Sequence, residues 1–362
     1  MPLNPSGAIS LAGPVAGQSI AVELGQSATA TISLNDTVVR TLGGVASGQI
    51  SLNTFWGKSN ITATQRAVFS YGETSPNGRV LISNQVSSTG VVATDTPGVG
   101  TARQQLLGVT YGGDKGLFAF GNLSPSPGAR FNIVNLVSNT GVISADNASA
   151  PTVGALSQVF GAGYGGDKAI SAYGRTNTVS SRSNLISNTG VIAADTPGVG
   201  TARQQVAAVG YGGDKAVFAY GFTPFPTNTN FTIANYVSNT GVIAGDTPIA
   251  GSGRNLLSAA VYGGDKGIIG YGIALPANVN ITNLVSNTGV IAADTPGVGT
   301  ARNGLAASGF GGDRAIFGFG FANPSTLSMT NLVSNTGVVA NDAPGVGTAR
   351  RGLAAAGFSA TA

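Results

Sequence analysis

The pentapeptide YGGDK at residues 111–115 recurs at 164–168, 211–215 and 262–266, and once more as FGGDR at 310–314. Its surroundings repeat too. After it come GLFAFG (116–121), AISAYG (169–174), AVFAYG (216–221), GIIGYG (267–272) and AIFGFG (315–320), and a sixth copy, AVFSYG (67–72), has no pentapeptide before it. From Gly72 to Gly320 the mean step is 248/5, about 50 residues. A second element, VSNTGVIAAD and its variants, occurs at 86–95, 137–146, 186–195, 237–246, 285–294 and 333–342. A third is an Arg leading a run of small apolar residues, as in ARQQVAAVGY; the variant ALSQVFGAGY carries Leu156 in place of the Arg. Self-similarity at a fixed period of this size marks a repeat architecture.

Each period reads as four short strands separated by turn chemistry. Strand A is the small-residue run such as 205–211, GGDK turns the chain, and strand B is AVFAYG. A connection of varying length leads to strand C, an Asn-Thr-Gly turn reverses it, and VIAAD forms strand D. Gly and Asn supply the positive φ that tight hairpins need. Strands A and B show no clean polar alternation, so both faces of each sheet are expected to be buried. Six such units predict an all-β fold, a six-bladed β-propeller, in which radial repetition protects the sheet edges. The ends complement each other: residues 61–72 enter directly at strand B, and 351–358 supply a lone strand A. The expectation is a ring closed by N- and C-terminal strands, with the pentapeptide present five times because the sixth A–B connection is where the ends meet. The motif resembles a kelch repeat in its Arg-led inner strand, its hairpin and its strand ending in Gly. It differs in having one Gly rather than a pair and in lacking the usual Trp. The resemblance implies a kelch-like architecture and no particular function.

Composition excludes several chemistries. Charged residues are 9% of the chain against a usual value of roughly 25%, and the 18 basic residues are scattered along the chain, so neither a nucleic-acid nor a membrane footprint is expected. Cysteine and histidine are absent, which removes disulfides, thiolate metal sites and the commonest general base. The opening MPLNPSGAIS has neither a basic start nor an apolar run, so a soluble chain without a signal peptide or membrane insertion is expected.

Of 14 acidic residues, 11 sit inside the repeats. Asp114, Asp167, Asp214, Asp265 and Asp313 lie in the A–B turns. A catalytic acid pair needs two different environments, whereas these recur in equivalent ones. The expectation is no enzyme, no cofactor and no metal; one carboxylate per turn falls short of the roughly six to eight oxygens calcium takes. PGVGTAR lacks the Lys-Ser/Thr ending of a phosphate loop. Structural roles are expected for the six strand-D acids, five of which are followed eight residues later by an Arg: Asp95 and Arg103, Asp195 and Arg203, Asp246 and Arg254, Asp294 and Arg302, Asp342 and Arg350. The link between them joins successive blades, so each pair is expected to fix one blade against the next. The junction holding Leu156 should be looser or apolar.

Residues 1–60 differ in kind, with SGAISL (6–11), VELG (22–25), ISLND (32–36), VVRTL (38–42) and SGQISLNTFWGKSN (47–60), which includes the single Trp56. This segment resembles the short N-terminal module that recurs on virion structural proteins of tailed bacteriophages, especially those of cyanobacteria and other aquatic bacteria. The resemblance implies a virion component, assembled in the host cytoplasm, attached to other virion proteins through residues 1–60 and present as a homo-oligomer in the particle. Residues 61–362 form the propeller on this reading. Its B–C connections vary most in length and content, and loops on a rigid scaffold commonly carry binding. Arg79, Arg130, Arg175, Arg182, Phe222 and Phe225 are the loop residues best able to hydrogen-bond or stack on a host-surface glycan or protein. The expected function is a tail fibre or baseplate-associated receptor-binding subunit. The alternative is a capsid, neck or tail decoration or joining protein with no receptor role.

Overall fold

A computed structural model of the chain describes residues 3, 8–13, 18–24, 26–43, 47, 49–52, 65–74, 78–123, 129–148, 154–224 and 226–360. The chain divides into two compact units, Met1–Ala63 and Thr64–Ala362. In the first, the helices Ile20–Glu23 and Thr37–Gly43 contribute to a core of Leu3, Ile9, Ile20, Val39 and Leu42. Ser19 caps the first helix by accepting from the Val22 N–H at 3.3 Å. Trp56 lies outside the described residues.

The second unit is all-β. Among the described residues it contains three four-stranded and three three-stranded antiparallel sheets, with three two-stranded ribbons. The first sheet pairs the C-terminal strand Ala354–Ser359 with Gln65–Ser70, which pairs in turn with Ile82–Val86. In the other five, strands A, B and C follow in sequence. They start at Leu107–Tyr111 in the second sheet, Phe160–Tyr164 in the third, Ala207–Tyr211 in the fourth, Ser258–Tyr262 in the fifth and Ala306–Phe310 in the sixth. Strand B carries four consecutive buried residues, as in Ala216–Ala219, because both faces of the sheet are covered.

The pentapeptide is the A–B turn. Gly112 and Gly113 take φ of +64° and +75°, and a Cβ on Gly112 would come 3.0 Å from the Asn188 carbonyl of the next sheet. The first Gly of each turn donates its N–H to the Asp carbonyl of the following turn: Gly112 to Asp167, Gly165 to Asp214, Gly212 to Asp265 and Gly263 to Asp313, at 2.6–2.7 Å. Where the pentapeptide is missing, Gly311 donates to the Gln65 carbonyl at 2.9 Å and Ser359 donates to the Asp114 carbonyl at 2.8 Å.

A second set of backbone bonds runs nearer the opposite end. The Gly closing each strand B donates to the carbonyl of the residue leading the next strand A: Gly72 to Arg103, Gly121 to Leu156, Gly174 to Arg203, Gly221 to Arg254, Gly272 to Arg302 and Gly320 to Arg350. The five arginines are fully buried. Arg203 is representative: Nε donates to the Tyr220 carbonyl at 2.7 Å, Nη1 to Thr201 O at 3.1 Å and Nη2 to Asn235 Oδ1 at 2.8 Å. All three acceptors belong to its own sheet or the link into it. Its contact with the preceding sheet is a stack, 4.1 Å from the Tyr173 ring centroid, and Arg103, Arg254, Arg302 and Arg350 lie likewise over Tyr71, Tyr220, Tyr271 and Phe319.

The Asp–Arg partners expected from sequence are therefore wrong by one repeat. Arg103 faces Asp146 at 3.9 Å, Arg254 faces Asp294 at 3.4 Å and Arg302 faces Asp342 at 3.8 Å. Arg203 and Arg350 feel Asp246 and Asp95. The eight-residue link crosses to the next sheet, so its two ends separate, while each sheet folds its own Asp back to its own leading Arg. Asp195 has Leu156 in place of that Arg and pairs with Arg182 at 2.8 Å.

Strand D also departs from expectation. The VIAAD segment makes only one bridge to strand C, such as Val86 to Val92. A two-residue strand after the Asp, such as Thr96–Pro97, completes three sheets, and single bridges serve the other three. Side chains replace the ladder: the buried Asn84 amide donates to the Ala93 carbonyl at 3.0 Å and to Asp95 Oδ1 at 2.9 Å. Asn135, Asn184, Asn235, Asn283 and Asn331 repeat the arrangement.

Candidate functional site

The B–C connections rise from a uniform base. Each strand B ends in an aromatic residue at φ between 60 and 64° (Tyr71, Phe120, Tyr173, Tyr220, Tyr271, Phe319) followed by Gly. That conformation costs a non-glycine residue about 1–2 kcal/mol and is held by packing: all six aromatic residues are fully buried. It aims the next residue at the one after the leading Arg or Leu, giving the bridges Glu73–Arg351, Asn122–Gln104, Arg175–Ser157, Phe222–Gln204, Ile273–Asn255 and Phe321–Asn303. Burial pushes the Tyr173 and Tyr220 hydroxyls up to about 12, and each donates to a link carbonyl, Val199 O at 3.2 Å and Ala250 O at 2.9 Å.

From this base the connections diverge, and the loop residues singled out from sequence part company. Arg79 closes the ribbon Glu73–Thr74 with Gly78–Arg79 and lies 3.4 Å from Glu73, which also accepts from Arg351 Nε at 2.8 Å. Arg182 holds Asp195 and donates to the Gly154 carbonyl at 2.9 Å. Both are committed to folding the chain. Phe222 is half-buried in the ribbon Phe222–Thr223 with Thr229–Asn230, and Phe225 lies outside the described residues. Arg130 and Arg175, from successive connections, are brought together. Arg130 Nε donates to Ser157 Oγ at 3.3 Å and Nη1 to Asn177 Oδ1 at 3.4 Å, while Arg175 exchanges both backbone hydrogen bonds with Ser157. Burial, then the Arg175 charge, draws the Arg130 guanidinium pKa down.

Sequence reading missed a second polar feature. Gln105, Gln158 and Gln205, at φ of 53–56°, form a chain in which Gln205 donates its amide to Gln158, and Gln158 to Gln105, each at 3.1 Å. The signal was present: the second residue after the leading Arg or Leu reads Gln, Gln, Gln, Leu, Gly, Gly through the repeats. Beyond this row the six A strands line a cavity of about 250 Å³ whose walls include Gly108, Gly161, Ala208, Ala259, Ala307 and Ala355. Small side chains there let six strands approach one another, and they offer little to orient a ligand.

The search of protein families found no matching model, and no curated protein matches the chain. No helix among the described residues is long and apolar enough to cross a membrane.

Proposed function

We propose that residues 64–362 form a closed, six-bladed, kelch-like β-propeller, and that the protein is a non-enzymatic component of a tailed-phage particle, a tail fibre or baseplate-associated subunit that contacts the host surface through its B–C connections. Support for closure comes from the turn hydrogen bonds, which pass from sheet to sheet and return through Ser359 to Asp114, and from the cavity that all six A strands line. The observation that carries the binding role is the contrast between the two ends of the sheets. The A–B and C–D turns are nearly identical from copy to copy, whereas the B–C connections share a base and then differ in length, charge and aromatic content.

Purified protein mixed with host cells tests this reading directly. Saturable adsorption supports it. Incorporation into virions lacking the protein, without adsorption to cells, would replace it with the decoration or joining role. That second reading draws on Val91, Val142, Val191, Val242, Val290 and Val338, equivalent valines each about two-thirds exposed, an apolar spot repeated where a single receptor site would need none.

A further inference from the structure

Resting on the host-surface reading, one pair of residues narrows the ligand. Arg130 and Arg175 are both half-buried, and neither forms an ion pair among the described residues, in contrast to Arg79 on the first B–C connection and Arg182 on the third. The Arg175 side chain makes no hydrogen bond among the described residues, and its Nε is buried without a partner. Two neighbouring guanidinium groups present ten N–H donors between them, of which Ser157 and Asn177 take two and the buried Arg175 Nε is out of a ligand's reach, leaving the Nη groups to present. Such a pair accumulates positive charge and unused, fork-shaped donor capacity that a carboxylate, sulfate or phosphate matches in geometry. Exposed Asn177 and Thr178 and half-buried Thr176 border the pair with groups suited to hydroxyls. A nucleic acid would need a longer track of cations to follow its phosphates.

We propose that Arg130 and Arg175 together form a recognition site for one oxyanion substituent, carboxylate, sulfate or phosphate, of an acidic surface polysaccharide.

The full chain is titrated with glucuronate, glucose 6-sulfate, glucose 6-phosphate and neutral glucose, followed by NMR shifts or calorimetry. The three anions are expected to bind and glucose to bind at least tenfold more weakly, with the preference shrinking as salt is raised. Arg175→Gln removes a side chain that makes no hydrogen bond among the described residues, so its fold is expected to persist by circular dichroism while anion affinity falls at least tenfold. Arg175→Lys should recover only part of that loss, because a point charge replaces the fork. Lys168→Gln, on the A–B turn of the third sheet, should leave affinity unchanged. Equal affinity of wild type and folded Arg175→Gln for the anions, or no preference over glucose, overturns the site. Host-cell adsorption separates this from the broader reading: adsorption unchanged in Arg175→Gln keeps the receptor role and removes the anion site. Arg175-dependent anion binding without any adsorption does the reverse.

Discussion

Five junctions between neighbouring sheets are built on a buried arginine, and one is built on Leu156. The backbone is the same in both kinds, since Leu156 O accepts from Gly121 as Arg203 O does from Gly174. The side chains have been exchanged. At Arg junctions the guanidinium stacks on an aromatic ring and reaches the strand-C Asn, and the residue two before that Asn is Ile82, Ile133, Ile233, Ile281 or Met329. At the Leu156 junction Phe120 packs against Leu156 in an apolar cluster, and the residue two before Asn184 is Arg182, which takes Asp195. The cation has moved from the start of strand A to the edge of strand C, and an apolar residue fills the place it left. What every sheet satisfies is the strand-D carboxylate; the route by which a cation reaches it can change.

The largest effect should come from imposing the minority solution on a majority site. Arg203→Leu leaves the buried Asn235 Oδ1 and Tyr220 carbonyl without their donor and removes the cation near exposed Asp246, at a cost of about 1–3 kcal/mol for each unpaired buried group, measured by urea denaturation. A loss below about 1 kcal/mol would mean that the shared backbone bonds, and not the arginine, hold the junction.

The converse change tests the exchange itself. Leu156→Arg crowds a second guanidinium beside one already in place and should cost about 1–3 kcal/mol; Arg182→Ile strips Asp195 of its cation. The double variant Leu156→Arg/Arg182→Ile rebuilds the common junction, so it should be more stable than the sum of the single changes predicts, by about 1–3 kcal/mol in a double-mutant cycle. Additivity would refute compensation.

The strand-D acids set a third test. Burial pushes Asp95, Asp146, Asp246, Asp294 and Asp342 up, but hydrogen bonds from Thr or Ser and from Asn outweigh it and hold all five below the usual carboxylate range. Their folded pKa values are depressed, so the stability they contribute is present above about pH 4 and is lost as pH falls through the lower folded values. Stability measured from pH 6 downwards should hold until about pH 4 and then decline. Asp246→Asn should flatten that decline relative to wild type; an unaltered profile would assign acid sensitivity to other groups.

How much of this was legible follows from what a linear chain records. The turns, the strand order and the end-to-end pairing of Gln65–Ser70 with Ala354–Ser359 were readable because each is written as a local pattern or as a missing half of one. The apolar character of the Leu156 junction was readable from a single substitution. Partners were not: Asp95 is eight residues from Arg103 in sequence, yet its carboxylate accepts from Thr348 at the other end of the chain. Arg182 looked like a free loop cation because its alignment with Ile82 and Ile133 emerges only once strand C is anchored on its Asn. The meeting of Arg130 with Arg175 depends on how two connections of unequal length fold over Ser157, and nothing periodic encodes that.

The smallest effects should fall on the charges of the pentapeptide. Asp214 and Lys215 pair at 2.7 Å with both side chains substantially exposed, and screening by water leaves such a pair little to contribute. The neighbouring sheet uses the backbone instead: Gly165 donates to the Asp214 carbonyl, and Gly212 passes the pattern on to Asp265. Asp214→Asn keeps that carbonyl and should leave the urea midpoint within error. Gly212→Ala, in the same turn, must hold φ near +63° and place a Cβ 2.9 Å from the Asn287 carbonyl, at a cost of about 1–2 kcal/mol. If Asp214→Asn proved the more damaging of the two, the turn would be held by its ion pair, and the division between a backbone frame and exchangeable side chains would fail at the pentapeptide.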